Sequence, residues 1–134
     1  MNDLLVDRRV LVVEDEMMVL MSIEHMLAEF GCTSVTVAAT VNEALALIAS
    51  QLFDVAMLDV NLDGTPSDPV ADALALGGVP FLFSTGYTEG AARAHYPDRP
   101  FINKPYPSRK LLAALTALLL ETRPDRAQSG HPAA

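Results

Sequence analysis

Short, uninterrupted apolar runs alternate along the chain with longer segments in which apolar residues recur every three or four positions. The clearest run, Val55 to Leu58, stops at the carboxylate of Asp59, and Val10 to Val13 forms a similar run before Glu14. Such runs, bounded by polar residues, are typical of strands buried on both faces of a parallel sheet. Together with residues 33–39, which alternate and are rich in β-branched residues, the predicted strands are residues 10–13, 33–39, 54–59, 79–85 and 100–103.

The segments between the strands have helical periodicity. A first helix is predicted over residues 17–30, with Gly31 as its C-cap, and a second opens at a capping box made by Thr40 and Glu43 and extends to about residue 51. Asp68 is predicted to be the N-cap of a third helix, followed by Pro69. Residues 61–67 have loop chemistry. A weakly anchored helix is predicted over residues 88–96, and a strong one over 108–121.

Strand and helix therefore alternate five times. This pattern predicts an α/β fold, a doubly wound five-stranded parallel sheet with helices on both faces. In such sheets ligands bind beyond the carboxyl ends of the strands. The polar residues predicted at that edge are Glu14, Asp15, Asp59, Thr85 and Lys104.

These five side chains suggest a chemistry. Three carboxylates held together repel one another unless a cation joins them, and oxygen ligands suit Mg²⁺. A lysine and a hydroxyl facing the same point can bind the oxygens of a phosphoryl group, whose transfer needs mainly positioning and charge neutralisation. An aspartate can then act as the nucleophile and form an aspartyl-phosphate.

Composition narrows the class of protein. The chain has 134 residues, 51% of them hydrophobic, and a net charge of 9 − 17 = −8. The acidic balance argues against nucleic acid or an anionic membrane as a partner. The single Cys32 excludes an internal disulfide, and no segment has signal-peptide or membrane-spanning length. We therefore expect a cytoplasmic protein.

Four motifs together resemble the receiver domain of two-component response regulators, over about residues 7–122. They are Val-Glu-Asp-Glu at 13–16, Leu-Asp-Val-Asn at 58–61, Ser-Thr-Gly at 84–86 and Asn-Lys-Pro-Tyr at 103–106. The resemblance implies the flavodoxin-like receiver fold, with residues 1–6 as an N-terminal extension and 123–134 as a disordered tail. No output domain is expected after residue 122.

The resemblance also assigns roles to individual residues. Asp59 matches the phosphoacceptor, and Glu14, Asp15 and the backbone carbonyl of Asn61 match the other members of the Mg²⁺ site. The remaining matches are Thr85 as the switch hydroxyl, Lys104 as the phosphate-binding lysine, Pro105 as a cis proline and Phe101 in place of the switch aromatic.

Residues 81–87, Phe-Leu-Phe-Ser-Thr-Gly-Tyr, are similar to a receiver subgroup with the signature Phe-x-Phe-Ala-Thr-Gly-Tyr, whose members are commonly stand-alone receivers. Ser84 replaces the alanine. We expect Tyr87, two residues after Thr85, to modulate the site, either as a cover or as a contact for a partner.

The implied function is that of a single-domain response regulator without a separate enzymatic output. It takes phosphate from a sensor histidine kinase or a histidine phosphotransfer protein and signals to a downstream protein target, as a monomer or weak homodimer. A phosphorelay intermediate or phosphate sink is the alternative, and a small phosphatase with an aspartate nucleophile is the third hypothesis.

Two local patterns imitate other sites and are rejected. Residues 59–64 resemble the start of an EF-hand loop, but the twelfth position is Val70 instead of glutamate. Residues 61–65 resemble the motif of haloacid-dehalogenase-like phosphatases, but Asn61 replaces the nucleophilic aspartate.

Overall fold

The fold is given by a computed structural model, which describes residues 5–86 and 96–133, with side chains described as far as residue 120. The strands are β1 (Arg9–Val13), β2 (Ser34–Ala38), β3 (Val55–Asp59), β4 (Asn61–Leu62), β5 (Thr65–Pro66), β6 (Phe81–Thr85) and β7 (Phe101–Asn103). The helices are α1 (Met17–Glu29), α2 (Val41–Ser50), α3 (Asp68–Leu76) and α4 (Ser108–Ala133). Within these described ranges, no helix combines the length and the apolar character needed to cross a membrane.

The five longer strands form one sheet in the order β2-β1-β3-β6-β7, and every neighbouring pair is parallel. The predicted doubly wound five-stranded sheet is therefore confirmed. The chain goes from β1 outward to β2 and then returns to β3 on the other side of β1. This change of direction makes the gap between β1 and β3 a topological switch point, where open α/β sheets place their ligand sites.

Alternate residues of each strand pack into separate cores on the two faces of the sheet. Val10 and Val12 lie in a core with α1 and α4, whereas Leu11 and Val13 lie in a core with α2 and α3. Both faces are covered, which explains why β1 and β3 read as continuous apolar runs without polar alternation.

Two helix starts differ in detail from their predicted caps. Thr40 does cap α2, since its Oγ1 accepts a hydrogen bond from the Glu43 N–H, but the Glu43 carboxylate accepts from the N–H of Ala39 instead of closing the capping box on Thr40. The N-cap of α3 is Ser67, one residue before the predicted Asp68. Both the N–H and the hydroxyl of Ser67 donate to the Val60 carbonyl, which fixes the start of α3 beside the end of β3.

The predicted loop over residues 61–67 instead contains a small antiparallel hairpin of β4 and β5. Its two-residue turn is Asp63–Gly64, with φ of 53° and 88°. Positive φ at both positions is what a type I′ turn requires, and Asp-Gly is among its preferred sequences. The side-chain oxygen of Asn61 also accepts a hydrogen bond of 2.6 Å from the Gly64 N–H.

Packed or helical structure is present outside both predicted domain boundaries. Leu5, assigned from sequence to an N-terminal extension, is fully buried in the core formed with α1 and α4. Helix α4 was predicted to end at Glu121 before a disordered tail, whereas helical backbone continues to Ala133. The sequence of this segment does not explain the helix, because Pro124, Gly130 and Pro132 all disfavour a helix interior. The weak helix predicted over residues 88–96 lies almost entirely outside the described residues.

Candidate functional site

Three carboxylates meet at the switch point between β1 and β3. Glu14 and Asp15 follow the last residue of β1, and Asp59 is the last residue of β3. The register pairs Val13 with Leu58, so the residues that come next on the two strands are neighbours. Oxygen atoms of the three side chains all lie within 4.8 Å of one another.

The Lys104 ammonium is the cation that faces this cluster. Its Nζ lies 2.7 Å from Glu14 Oε1 and 3.2 Å from Asp59 Oδ2, and the lysine side chain is only 14% exposed. The backbone N–H of Lys104 donates a 2.8 Å hydrogen bond to the carbonyl of Thr85 at the end of β6. This bond fixes the lysine to the sheet edge that also carries the acidic residues.

The electrostatics of the cluster are unbalanced toward negative charge. Burial raises the pKa of Glu14, and although the contact with Lys104 opposes this effect, burial and the charge of Asp59 prevail. Burial alone would lower the pKa of Lys104, but its contacts with Glu14 and Asp59 raise the pKa overall. Lys104 is therefore firmly protonated, yet its single charge does not satisfy the carboxylates around it.

Backbone amides orient the two carboxylates that lie nearest to Lys104. The N–H of Glu16 donates to Glu14 Oε2 at 3.1 Å, and the N–H of Asn61 donates to Asp59 Oδ1 at 3.2 Å. Each carboxylate is thus held by an amide on one oxygen and by the ammonium on the other. Such fixed orientation is what a preorganised polar site requires.

An open cavity of about 840 Å³ gives access to the cluster. It is large enough for a small phosphorylated molecule. Its lining consists of Asp15, Glu16, Val19, Asp59, Val60, Asn61, Asp63, Thr85, Gly86, Lys104 and Pro105. The Lys104–Pro105 peptide bond at its wall is cis, as predicted.

The donor set fits a divalent metal ion. Three carboxylates supply hard oxygen ligands, and the open cavity leaves room for the waters that Mg²⁺ retains. The negative charge that Lys104 leaves uncompensated gives a physical reason for a further cation at this position. The side chains of this cluster that could supply ligands are those of Glu14, Asp15 and Asp59.

Most of the predicted site residues converge here. The structure brings together Glu14, Asp15, Asp59, Asn61, Thr85, Lys104 and Pro105. Phe101 lies apart from the cavity, on the face covered by α2 and α3, where its ring stacks on Phe83 with centroids 5.0 Å apart. Tyr87 lies outside the described residues.

Two cavity-lining carboxylates were not assigned a role from sequence. Glu16 lies 3.7 Å from Lys104 Nζ, and Asp63 lies at the turn of the β4–β5 hairpin. Glu16 could have been suspected because it directly follows Asp15. Asp63 could have been placed only by recognising Asp-Gly as a hairpin turn.

Residues 10–116 match the family model described as "Response regulator receiver domain". No curated protein sequence gives a significant match. Among solved structures, the solution structure of SdrG from Sphingomonas melonis Fr1 shares 40% identity and a TM-score of 0.75, and the match covers 84% of this chain and 96% of SdrG.

Two further structures show similar agreement. The BeF3-activated conformation of SdrG, from Pseudomonas melonis Fr1, has 39% identity and a TM-score of 0.72, covering 83% of this chain and 95% of that one. A CheY-like response regulator receiver domain protein from Methanospirillum hungatei JF-1 has 28% identity and a TM-score of 0.78, covering 88% of this chain and 98% of that one.

Proposed function

The chain belongs to the response regulator receiver domain family of two-component systems, and on this premise we propose that it accepts a phosphoryl group on Asp59 and signals by phosphorylation-dependent protein–protein interaction. The observation that carries the proposal is the contact of Lys104 with both Glu14 and Asp59 inside the carboxylate cluster. An acidic cluster alone would suit many cations. An ammonium held beside one strand-end aspartate, in a cavity open to small molecules, suits phosphoryl transfer to that aspartate.

Asp59 is the proposed nucleophile. Its Oδ2 lies 3.2 Å from Lys104 Nζ, and its Oδ1 accepts a backbone hydrogen bond of the same length from the Asn61 N–H. An oxygen of this carboxylate attacks phosphorus while the bond from phosphorus to the donor breaks, and the donor leaves with that electron pair. The hydrogen bond from Asn61 keeps the carboxylate at the end of β3, facing the cavity.

Lys104 and Thr85 are the proposed contacts for the phosphoryl oxygens. Both residues line the cavity that contains Asp59, and the bond from the Lys104 N–H to the Thr85 carbonyl holds their backbones together. Lysine supplies a flexible point charge that can move from the carboxylates to a phosphoryl oxygen. A displacement of Thr85 toward the phosphoryl group would be transmitted along β6 to Phe83, on which Phe101 stacks.

Mg²⁺ is the proposed cofactor, held by Glu14, Asp15, Asp59 and the Asn61 carbonyl. When bound, it neutralises negative charge on the phosphoryl oxygens. The protein's own contribution is to hold the carboxylates together, with oxygen atoms of Glu14, Asp15 and Asp59 within 4.8 Å of one another. Without a cation this arrangement destabilises the folded protein, because like charges at close range repel one another.

The proposed phosphodonor is a sensor histidine kinase or a histidine phosphotransfer protein, and the proposed output is binding of a downstream protein. The existence of a BeF3-activated conformation of SdrG supports a phosphorylation-controlled conformational change in this fold. Passage of phosphate to a histidine phosphotransfer protein, as in a phosphorelay or a phosphate sink, is the alternative output for the same chemistry.

Phosphorylation of the isolated protein tests the proposal. We expect acetyl phosphate with Mg²⁺ to add the mass of one phosphoryl group, and expect Asp59→Asn or an excess of EDTA to abolish the adduct. Asp98→Asn is a matched control, because Asp98 is exposed and precedes β7, at the end of the strand opposite to the carboxylate cluster. An adduct that persists in Asp59→Asn would refute the assignment of the phosphoacceptor.

A second measurement separates the two outputs. The phosphorylated protein is mixed with a histidine phosphotransfer protein, and the label on each is followed with time. Rapid loss of label from Asp59 to the histidine would favour the phosphorelay, whereas a stable aspartyl-phosphate would favour signalling through a bound target.

A further inference from the structure

Two carboxylates at the mouth of the cavity, Glu16 and Asp63, have no part in the proposed chemistry. They approach the cavity from different elements, Glu16 from the N-terminus of α1 and Asp63 from the turn of the β4–β5 hairpin. Both side chains line the cavity that contains Asp59. A phosphodonor that reaches Asp59 must enter the space that these two side chains border.

Among the described residues, the negative charges of Glu16 and Asp63 are only weakly compensated. Lys104 Nζ lies 2.7 Å from the Glu14 carboxylate and 3.2 Å from the Asp59 carboxylate, but 3.7 Å from the Glu16 carboxylate. The Glu16 side chain is also 64% exposed, which weakens the interaction further. Among the described residues that line the cavity, Lys104 is the only one with a positively charged side chain. Even with a divalent cation bound, the total negative charge of these carboxylates would therefore exceed the total positive charge of Lys104 and the cation.

We infer that Glu16 and Asp63 form an anionic rim that makes this receiver discriminate among phosphodonors by charge, disfavouring small dianionic donors. The inference rests on the proposed function, since it concerns access to Asp59. Interaction energy scales with the product of the charges, so a rim carboxylate opposes a dianion about twice as strongly as a monoanion. A protein phosphodonor that carries basic residues beside its phosphohistidine would gain from the same rim.

The charge of each rim residue can be removed without disturbing its backbone. Glu16 is the N-cap of α1 but makes no side-chain capping bond, so Glu16→Gln removes none. Its hydrogen bond to Glu14 comes from the backbone N–H and is retained in the variant. Asp63 has φ of 53° before Gly64. Asn-Gly is a preferred type I′ turn, so Asp63→Asn keeps the hairpin.

Acetyl phosphate and phosphoramidate form a pair of probes of different charge. Near neutral pH acetyl phosphate is a dianion and phosphoramidate is a zwitterion of net charge −1. The Asp59 carboxylate displaces acetate from the first, breaking a P–O bond, and ammonia from the second, breaking a P–N bond. Both reactions yield the same aspartyl-phosphate, so the two rates differ only in the approach and departure of the donor group.

At low ionic strength and saturating Mg²⁺, we expect each single substitution to raise the acetyl phosphate rate about threefold and the phosphoramidate rate less than about twofold. The double variant Glu16→Gln/Asp63→Asn is expected to reach about ninefold and about threefold, respectively, if the two charges act independently. The difference between the two donors in this rate increase should shrink as salt is added, because the Debye length falls to about 8 Å at physiological ionic strength.

Glu24→Gln and Asp98→Asn are matched controls, since both remove one exposed negative charge and neither residue lines the cavity. Unchanged acetyl phosphate rates in the rim variants, or an equal rate increase for both donors, would refute discrimination by the anionic rim. Enhancement of the same size in the controls would attribute the effect to net charge and would also overturn it. Failure of wild type to be labelled by either donor would instead refute the proposed function, and the inference with it.

Discussion

The ammonium of Lys104 lies 2.7 Å from the carboxylate of Glu14, a side chain that is only 1% exposed. The two residues come from the ends of β1 and β7, which are separated by two other strands of the sheet. The contact therefore depends on the assembled sheet edge and on the reach of the lysine side chain. The proposed phosphate-binding lysine therefore also pairs with a buried carboxylate in the unphosphorylated protein.

Lys104→Ala is expected to destabilise the metal-free protein by about 3 kcal/mol, because it leaves Glu14 buried beside Asp59 without a cation. Glu14→Gln should cost less, and the double variant should be more stable than the sum of the single losses predicts. Urea unfolding of the four proteins measures the coupling. Lys110→Ala, which removes an exposed lysine of α4, is the control. Additive losses would contradict a stabilising role for the pair.

Asp15→Asn is expected to stabilise the metal-free protein by about 1 kcal/mol. The lysine contacts Glu14 and Asp59, whereas Asp15 forms no ion pair among the described residues, so its charge adds mainly repulsion. The same substitution should abolish the increase in thermal stability that Mg²⁺ gives to the wild type. Thermal unfolding with EDTA and with Mg²⁺ checks both expectations. Lower stability in EDTA would show that Asp15 is held by favourable contacts.

The main elements of the fold were predictable because strong local signals set them. Val10–Val13 and Val55–Leu58 are apolar enough to indicate buried parallel strands, and parallel strands bring their carboxyl ends to one edge. The convergence of Glu14, Asp59 and Lys104 at that edge follows from this topology without knowledge of any side-chain contact.

The features that were missed depend on geometry that local patterns do not contain. Leu5 is a single buried residue before the first strand, without periodicity to mark it. The β4–β5 hairpin has strands of two residues each, too short for any alternation to be visible. The contact of Glu16 with Lys104 joins residues far apart in sequence, and its length is set by the side chains.

Tyr96 is expected to show a pH-dependent contribution to stability. Its hydroxyl donates to Asp72 on α3, and this bond, followed by burial, raises the pKa of the phenol to about 12. Since the pKa is raised in the folded state, the stabilisation is present below the unfolded value of about 10 and is lost as the pH rises toward 12. Asp72→Asn should lower the pKa of Tyr96 and remove this loss.

An NMR titration of labelled tyrosine ring carbons measures this effect directly. Tyr106 is an internal control, because burial raises its pKa and its hydroxyl faces Ser84 instead of Asp72. A pKa of Tyr96 that stays unchanged in Asp72→Asn would mean that the hydrogen bond to α3 does not stabilise the neutral phenol.

The hairpin turn at Asp63 provides the last prediction. With φ of 53°, this residue occupies the left-handed region, which asparagine and aspartate tolerate and β-branched residues do not. Asp63→Asn should therefore be neutral or slightly stabilising, whereas Asp63→Val should cost about 1–2 kcal/mol or force the hairpin to open.

Opening of the hairpin should also be felt at the carboxylate cluster. The hydrogen bond that the Gly64 N–H donates to the Asn61 side-chain oxygen would be lost, while the backbone N–H of the same asparagine holds Asp59 Oδ1. Asp63→Val should therefore weaken Mg²⁺ binding, measured by calorimetry, more than Asp63→Asn, although both remove the same charge. Equal affinities in the two variants would show that only the charge of Asp63 reaches the metal site and that the conformation of the turn does not.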